Sequence, residues 1–174
     1  MDAQQSPQAA AIAVAKVFPP QTIGAEVAEQ IVAFRHARID PQDVARLARE
    51  PQQRDSFALV GSIGDRVIVY VKLQHGGPGD VWIRSLVIDE AAGLEAARVV
   101  FGELRQLLGY HEDLVALVGE TDLRSQLELR ELGLECQPLH QRSKPQIKHR
   151  HYVFRSWRPP QIVFAGQARF TWPW

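Results

Sequence analysis

The chain has 174 residues, a length that fits one domain with short appendages. Its 45% hydrophobic content can fill a core, and it has no run of about 18 or more apolar residues, so no membrane-spanning helix is expected. Net charge is zero, but from Cys136 onward there are seven Arg or Lys and no Asp or Glu, leaving −7 on the first 135 residues.

Such asymmetry can mark a polyanion-binding end, and it can equally be a basic tail folded against its own acidic body. The single cysteine, Cys136, excludes an internal disulfide framework. Ala9 to Ala15 resembles a signal core, but it is short and no Lys or Arg precedes it. A cytoplasmic location is the default expectation.

Residues 1–8 are polar and read as a disordered N-terminus, ahead of a domain over 9–158. Ala9 to Phe18 reads as a first strand, stopped by Pro19-Pro20. Ile23 to Ala37 reads as a helix with Val27, Ile31 and Phe34 on one face. Asp40-Pro41 gives an N-cap followed by an N1 proline, opening a short helix to about Glu50 with Val44 and Leu47 inward. Ser56 to Gly61 and Arg66 to Leu73 read as a hairpin turning at Gly64-Asp65. The His75-Gly-Gly-Pro-Gly79 cluster reads as an inter-strand turn, since no helix follows it.

The next span carries most information. Asp80-Val-Trp-Ile-Arg-Ser-Leu-Val-Ile-Asp89 is a strand that runs into a loop and a helix ending near Leu108. Leu94, Ala97, Phe101, Leu104 and Leu108 form its apolar stripe. A strand leading into a helix N-terminus is a common way to hold a phosphate-bearing cofactor. Asp89 and Glu90 read as caps of this helix, with Glu95 a favourable first-turn acid. Asp113 to Val118 is almost wholly apolar, as expected for a strand buried on both faces. Thr121 or Asp122 caps a helix that stops at Gly133. Leu134 to Leu139 and His151 to Trp157 read as strands, joined by a polar loop over 141–150. An aromatic extension over 159–174 follows. Its Phe164, Phe170, Trp172 and Trp174 are too many to leave exposed, and a hairpin that packs on the body or makes a homodimer is expected.

The order is strand, two helices, three strands, helix, strand, helix, two strands. Together with Val87 to Gly133, it resembles the GNAT family of acyl-CoA-dependent N-acyltransferases over roughly residues 10–158. The resemblance implies an α/β (α+β) fold: a mixed, mostly antiparallel sheet of about seven strands flanked by about four helices. It implies acyl-CoA, acetyl-CoA among others, as cofactor and a small-molecule or protein amine as acceptor. By resemblance, the backbone of Val87, Ile88 and Asp89 holds the pantetheine arm. Gly93, Leu94, Glu95, Ala96 and Ala97 form the loop and helix start that hold the pyrophosphate, and Asp122 stands where the family often has Asn. Ala97 and the Leu132-Gly133-Leu134 ending match the family pattern. Ala92, Glu95 and Leu129 depart from it: the family has Arg or Gln, Gly, and Tyr there.

Glu95 matters because a carboxylate about 5 Å from a phosphate costs roughly 3 kcal/mol at an effective dielectric near 20. A helix N-terminus returns only about 0.3–1 kcal/mol per anion. Repulsion wins if Glu95 points at the phosphates, and screening removes most of it if Glu95 points to solvent.

The general base must be an Asp, Glu or His near the strand ends. Glu120 is the candidate, with His75 and Asp80 flanking the strand at 80. Tyr110 and Tyr152 lie away from the proton-donor position. His140, His149 and His151 lack a carboxylate or Cys at metal-ligand spacing, so no metal site is expected. Cys136 reads as a small core residue. Arg142 to Arg158 mixes basic residues with Tyr152, Phe154 and Trp157, a pattern that suits nucleic acid and equally a sheet strand with one basic face, which is preferred. Two functions follow: an N-acyltransferase, or an inactive GNAT-like binding module that uses its basic, aromatic end.

Overall fold

A computed structural model describes residues 11–35, 41–49, 55–109, 112–137 and 151–156. The expectations for residues 1–8, for the loop over 141–150, for the extension over 159–174 and for Tyr110, His140, His149 and Trp157 lie outside the described residues. In chain order the elements are β1 (Ala13–Val17), α1 (Ala25–Arg35), α2 (Pro41–Arg49), β2 (Ser56–Ile63), β3 (Arg66–His75), β4 (Asp80–Ile88), α3 (Gly93–Leu107), β5 (Asp113–Gly119), α4 (Leu123–Glu131), β6 (Leu134–Gln137) and β7 (His151–Ser156). None of the described helices is long and apolar enough to cross a membrane.

The seven strands form one sheet in the order β1-β2-β3-β4-β5-β7-β6. Every neighbouring pair is antiparallel except β4 and β5. That parallel pair needs a crossover, and α3 provides it.

The sheet carries a helical layer on each face. On one, Ala97, Phe101 and Leu104 of α3 are buried with Leu129 and Leu132 of the α4 region against Leu59, Val71, Leu73 and Leu114. Leu94 and Leu108 lie at the margin of this core, completing the stripe read from the 3.6-residue period. Burying a side chain such as Phe101 or Leu104 stabilises by about 1.5–3 kcal/mol. On the other face, Ile31 and Ala28 of α1 pack with Val67, Tyr70 and Val87, and Val27, Phe34, Val44 and Leu47 lean on the same cluster. The contact of α3 with β2 is close: a Cβ at Gly61 would stand 2.6 Å from Val100 Cγ2.

Two expectations need correction. Asp89 and Glu90 do not cap α3, which begins at Gly93 with Ala92 as N-cap and no side-chain cap. Asp89 is instead drawn into an ion pair with Arg66 of β3, and its Oδ1 accepts a hydrogen bond from the Ala91 amide. Nor is β5 buried on both faces along its length, since Leu117 is 50% exposed. Leu117 instead lines the opening beside β4.

Candidate active site

β4 and β5 are paired only from Asp80 to Trp82 and from Asp113 to Val115. Beyond those residues they part. The outer edge of β4 stays paired with β3 as far as Ile88, and that of β5 with β7 as far as Gly119. Among the described residues, no strand pairs with either of them across the gap.

The cause is local. On β3, Lys72 opposes Ser85 and Leu73 opposes Ile83, so Arg84 is an extra residue in β4. Such a bulge bends the strand and increases its twist. At the paired end, Arg155 of β7 holds both Asp80 carboxylate oxygens, at 2.8 and 3.3 Å, and approaches Asp113 at 3.9 Å. The strands are therefore tied at one end and open at the other.

The opening is a cleft of about 270 Å³. Ile83 to Leu86 form one wall, Ala116 to Gly119 the other, and Asp122, Ser125, Glu128 and Leu129 close the side toward α4. Leu117 supplies an exposed apolar surface there.

The β4–α3 turn sits at the open end. Asp89 is buried, and its carbonyl accepts from the amides of Ala92 and Gly93. Gly93 has φ +65°, a left-handed conformation that a side chain would strain. The start of α3 has no side-chain cap, so beyond the Gly93 amide, which meets the Asp89 carbonyl, the amides of its first turn keep their capacity for an acceptor. Glu95 points outward, with its side chain 82% exposed and paired with Arg98. Arg98 also reaches Glu131 at 2.9 Å, which ties α3 to α4. Arg124 spans a similar gap, meeting Glu128 and Glu90 at 2.9 Å each. Glu128 first, and then Glu90, push the Arg124 pKa above its ordinary value.

No protein-family model matches the sequence, and no curated protein matches it. Solved structures do match the fold. The GNAT domain of S. lividans PAT is 14% identical, with a TM-score of 0.52 over 82% of this chain and 88% of that one. This chain has the GNAT fold. A probable acetyltransferase from Staphylococcus epidermidis aligns with a TM-score of 0.57 at 8% identity, covering 83% of this chain and 98% of its own. An IAA acetyltransferase from Bacillus cereus aligns at 0.52 and 11% identity, covering 84% and 99% respectively.

Within the GNAT fold, the residues anticipated from sequence take distinct positions. Ile88 is half-buried at the end of β4, while Val87 turns into the α1 core. Gly93, Leu94 and Glu95 form the start of α3, and Ala96 and Ala97 are buried beneath it. Asp122 is the N-cap of α4, accepting from the Ser125 amide at 3.1 Å, and it lines the cleft. Glu120 is exposed in the turn after β5, one residue beyond the lining residue Gly119. Its carbonyl accepts a hydrogen bond from Gln126 Nε2 at 3.1 Å. His75 and Asp80 are held at the tied end by Glu112, at 3.2 Å, and by Arg155. Leu129 is 3% exposed and gives the cleft a hydrocarbon wall where the family often has Tyr.

Sequence reasoning missed Arg84, Ser85, Leu117, Ser125 and Glu128 as cleft residues. One signal was available: Arg84 is the only charged residue between Val81 and Ile88. A charge within a mostly apolar strand suggests a position where regular pairing fails.

Proposed function

We propose that this chain is an acyl-CoA-dependent N-acyltransferase, moving an acyl group from a CoA thioester to an amine. The observation that carries the proposal is the parting of β4 from β5 beyond Trp82 and Val115. It leaves extended backbone facing a narrow cleft of mixed polar and apolar lining, which suits a pantetheine arm carrying amide groups. The uncapped start of α3 supports the same reading, because helix N-termini favour phosphate. So does the outward Glu95, whose charge is met by Arg98.

Val87, Ile88 and Asp89 would hold the pantetheine arm through backbone groups, and Gly93 to Ala97 the pyrophosphate. An acyl thioester supplies the activated carbonyl. The amine nitrogen forms the new C–N bond, the C–S bond breaks, and the sulfur leaves as a thiolate. Positioning does most of this work. Glu128 is bound to Arg124 and Asp122 caps α4, so neither suits the role of base. Glu120 is the carboxylate proposed to take the amine proton. With leucine at position 129, solvent water returns a proton to the thiolate.

Calorimetry with millimolar acetyl-CoA, read beside thermal unfolding, tests the proposal. Binding is expected, and a tenfold excess over Kd stabilises the fold by about 1.4 kcal/mol. Absence of both heat and thermal shift would sink this reading and leave the non-catalytic binding module.

A further inference from the structure

Arg84 differs from the other arginines near the cleft. Arg66, Arg98, Arg124 and Arg155 each meet a carboxylate. Among the described residues, Arg84 meets only neutral groups. Its Nε–H donates to Gln74 Oε1 at 2.7 Å, and its guanidinium lies 5.8 Å from the centre of the Trp82 ring.

Both supports are fixed. Gln74 and Trp82 are register partners on β3 and β4. The Trp82 ring leaves no room for a Cβ at Gly76, so the turn packs directly beneath it. With Nε engaged and the plane held over an aromatic face, the paired Nη groups remain the outward part of the fork. That edge binds a carboxylate through two parallel hydrogen bonds. Arg84 also sits at the bulge, where the cleft begins and the bond exchange of the proposed reaction would take place. The remaining charged residues of the lining, Asp122 and Glu128, belong to α4, and Glu128 is neutralised by Arg124.

We infer that Arg84 is a specificity residue that binds a carboxylate on the acceptor, so that the amine substrate is an amino acid or another amino-carboxylate. This rests on the acyltransferase reading and narrows it. The acceptor is assigned the carboxylate because Arg84 is exposed on the sheet face that carries Tyr70, Gln74 and Trp82. An acyl donor lying between the strands enters from the other end of the cleft. A guanidinium offers hydrogen-bond donors and no acceptor, so its contribution is to hold the acceptor substrate.

The test uses the whole chain with acetyl-CoA and a panel of amino acids, each beside its carboxamide, following thiol release. The acids are expected to exceed their amides in kcat/KM by at least tenfold. Arg84→Gln should erase that preference by raising KM for the acids at least tenfold more than for the amides, and Arg84→Lys should restore only part of it. Thermal shift of the CoA-bound protein with N-acetyl amino acids, against their amides, reads the same carboxylate without turnover. Equal behaviour of acids and amides in both measurements overturns the inference, as does a preference that survives Arg84→Gln. A loss confined to succinyl-CoA over acetyl-CoA would move the carboxylate to the donor and overturn the acceptor assignment. A protein that binds no CoA fails at the calorimetric step, which separates failure of the function from failure of this inference.

Discussion

Replacing Glu95 with Gln should change CoA affinity very little. The Glu95 side chain is 82% exposed and already paired with Arg98, which in turn meets Glu131. Two unit charges about 4 Å apart in water interact by only about 1 kcal/mol. Beyond roughly 8 Å at physiological ionic strength even that is screened. The ceiling on the gain is therefore about 1 kcal/mol, or about fivefold, and at 0.15 M salt it should fall to about twofold or less. A carboxylate turned at the phosphates would instead cost roughly 3 kcal/mol, about 150-fold in Kd. The two arrangements differ by nearly two orders of magnitude, which calorimetry with CoA at low and physiological salt resolves. The substitution should also remove a first-turn acid and its ion pair, together about 0.5–1.5 kcal/mol of helix stability. For a chain of this size that is a fall in Tm of about 1–6 °C. A gain above about 20-fold at physiological salt would refute the outward orientation of Glu95.

Leu117→Asp should spare stability, because the side chain is already half-exposed, yet weaken CoA binding at least about tenfold by charging an apolar wall; equal affinity by calorimetry would show that Leu117 does not touch the ligand. Gly61→Ala should destabilise by about 1–3 kcal/mol in denaturant titration through its approach to Val100. Adding Val100→Ala should recover part of that loss, and additive effects in the double mutant would argue against the clash. Asp89→Ala removes the Arg66 ion pair and the bond to the Ala91 amide. It should cost about 1.5–3 kcal/mol, read as a fall in Tm of about 3–12 °C.

Much of the fold was legible because it is encoded over short distances. The stripe from Leu94 to Leu108 repeats every three or four residues, and the same residues line the core. The hairpin follows from Gly64-Asp65 between two apolar runs, and its strands pair as expected. Asp122, one of two candidate caps, is the one whose carboxylate accepts from the amide three residues on. The start of α3 was misread because Asp89 has two uses open to it. As a cap it would have served its own helix, but Arg66 lies 23 positions earlier on the adjacent strand and draws it away.

By itself the sequence determined the element order, the apolar faces and the departures at Ala92, Glu95 and Leu129, all of which depend on neighbours within one or two turns. Tertiary structure alone decided that β4 leaves β5 after Trp82, that Leu117 faces an opening, and that Arg84 stands at the bulge with a neutral partner. Each of these depends on register between strands or on ion pairs between distant residues, such as the 75 positions separating Asp80 from Arg155. Local periodicity carries no information about such pairings, and they are what shape the cleft.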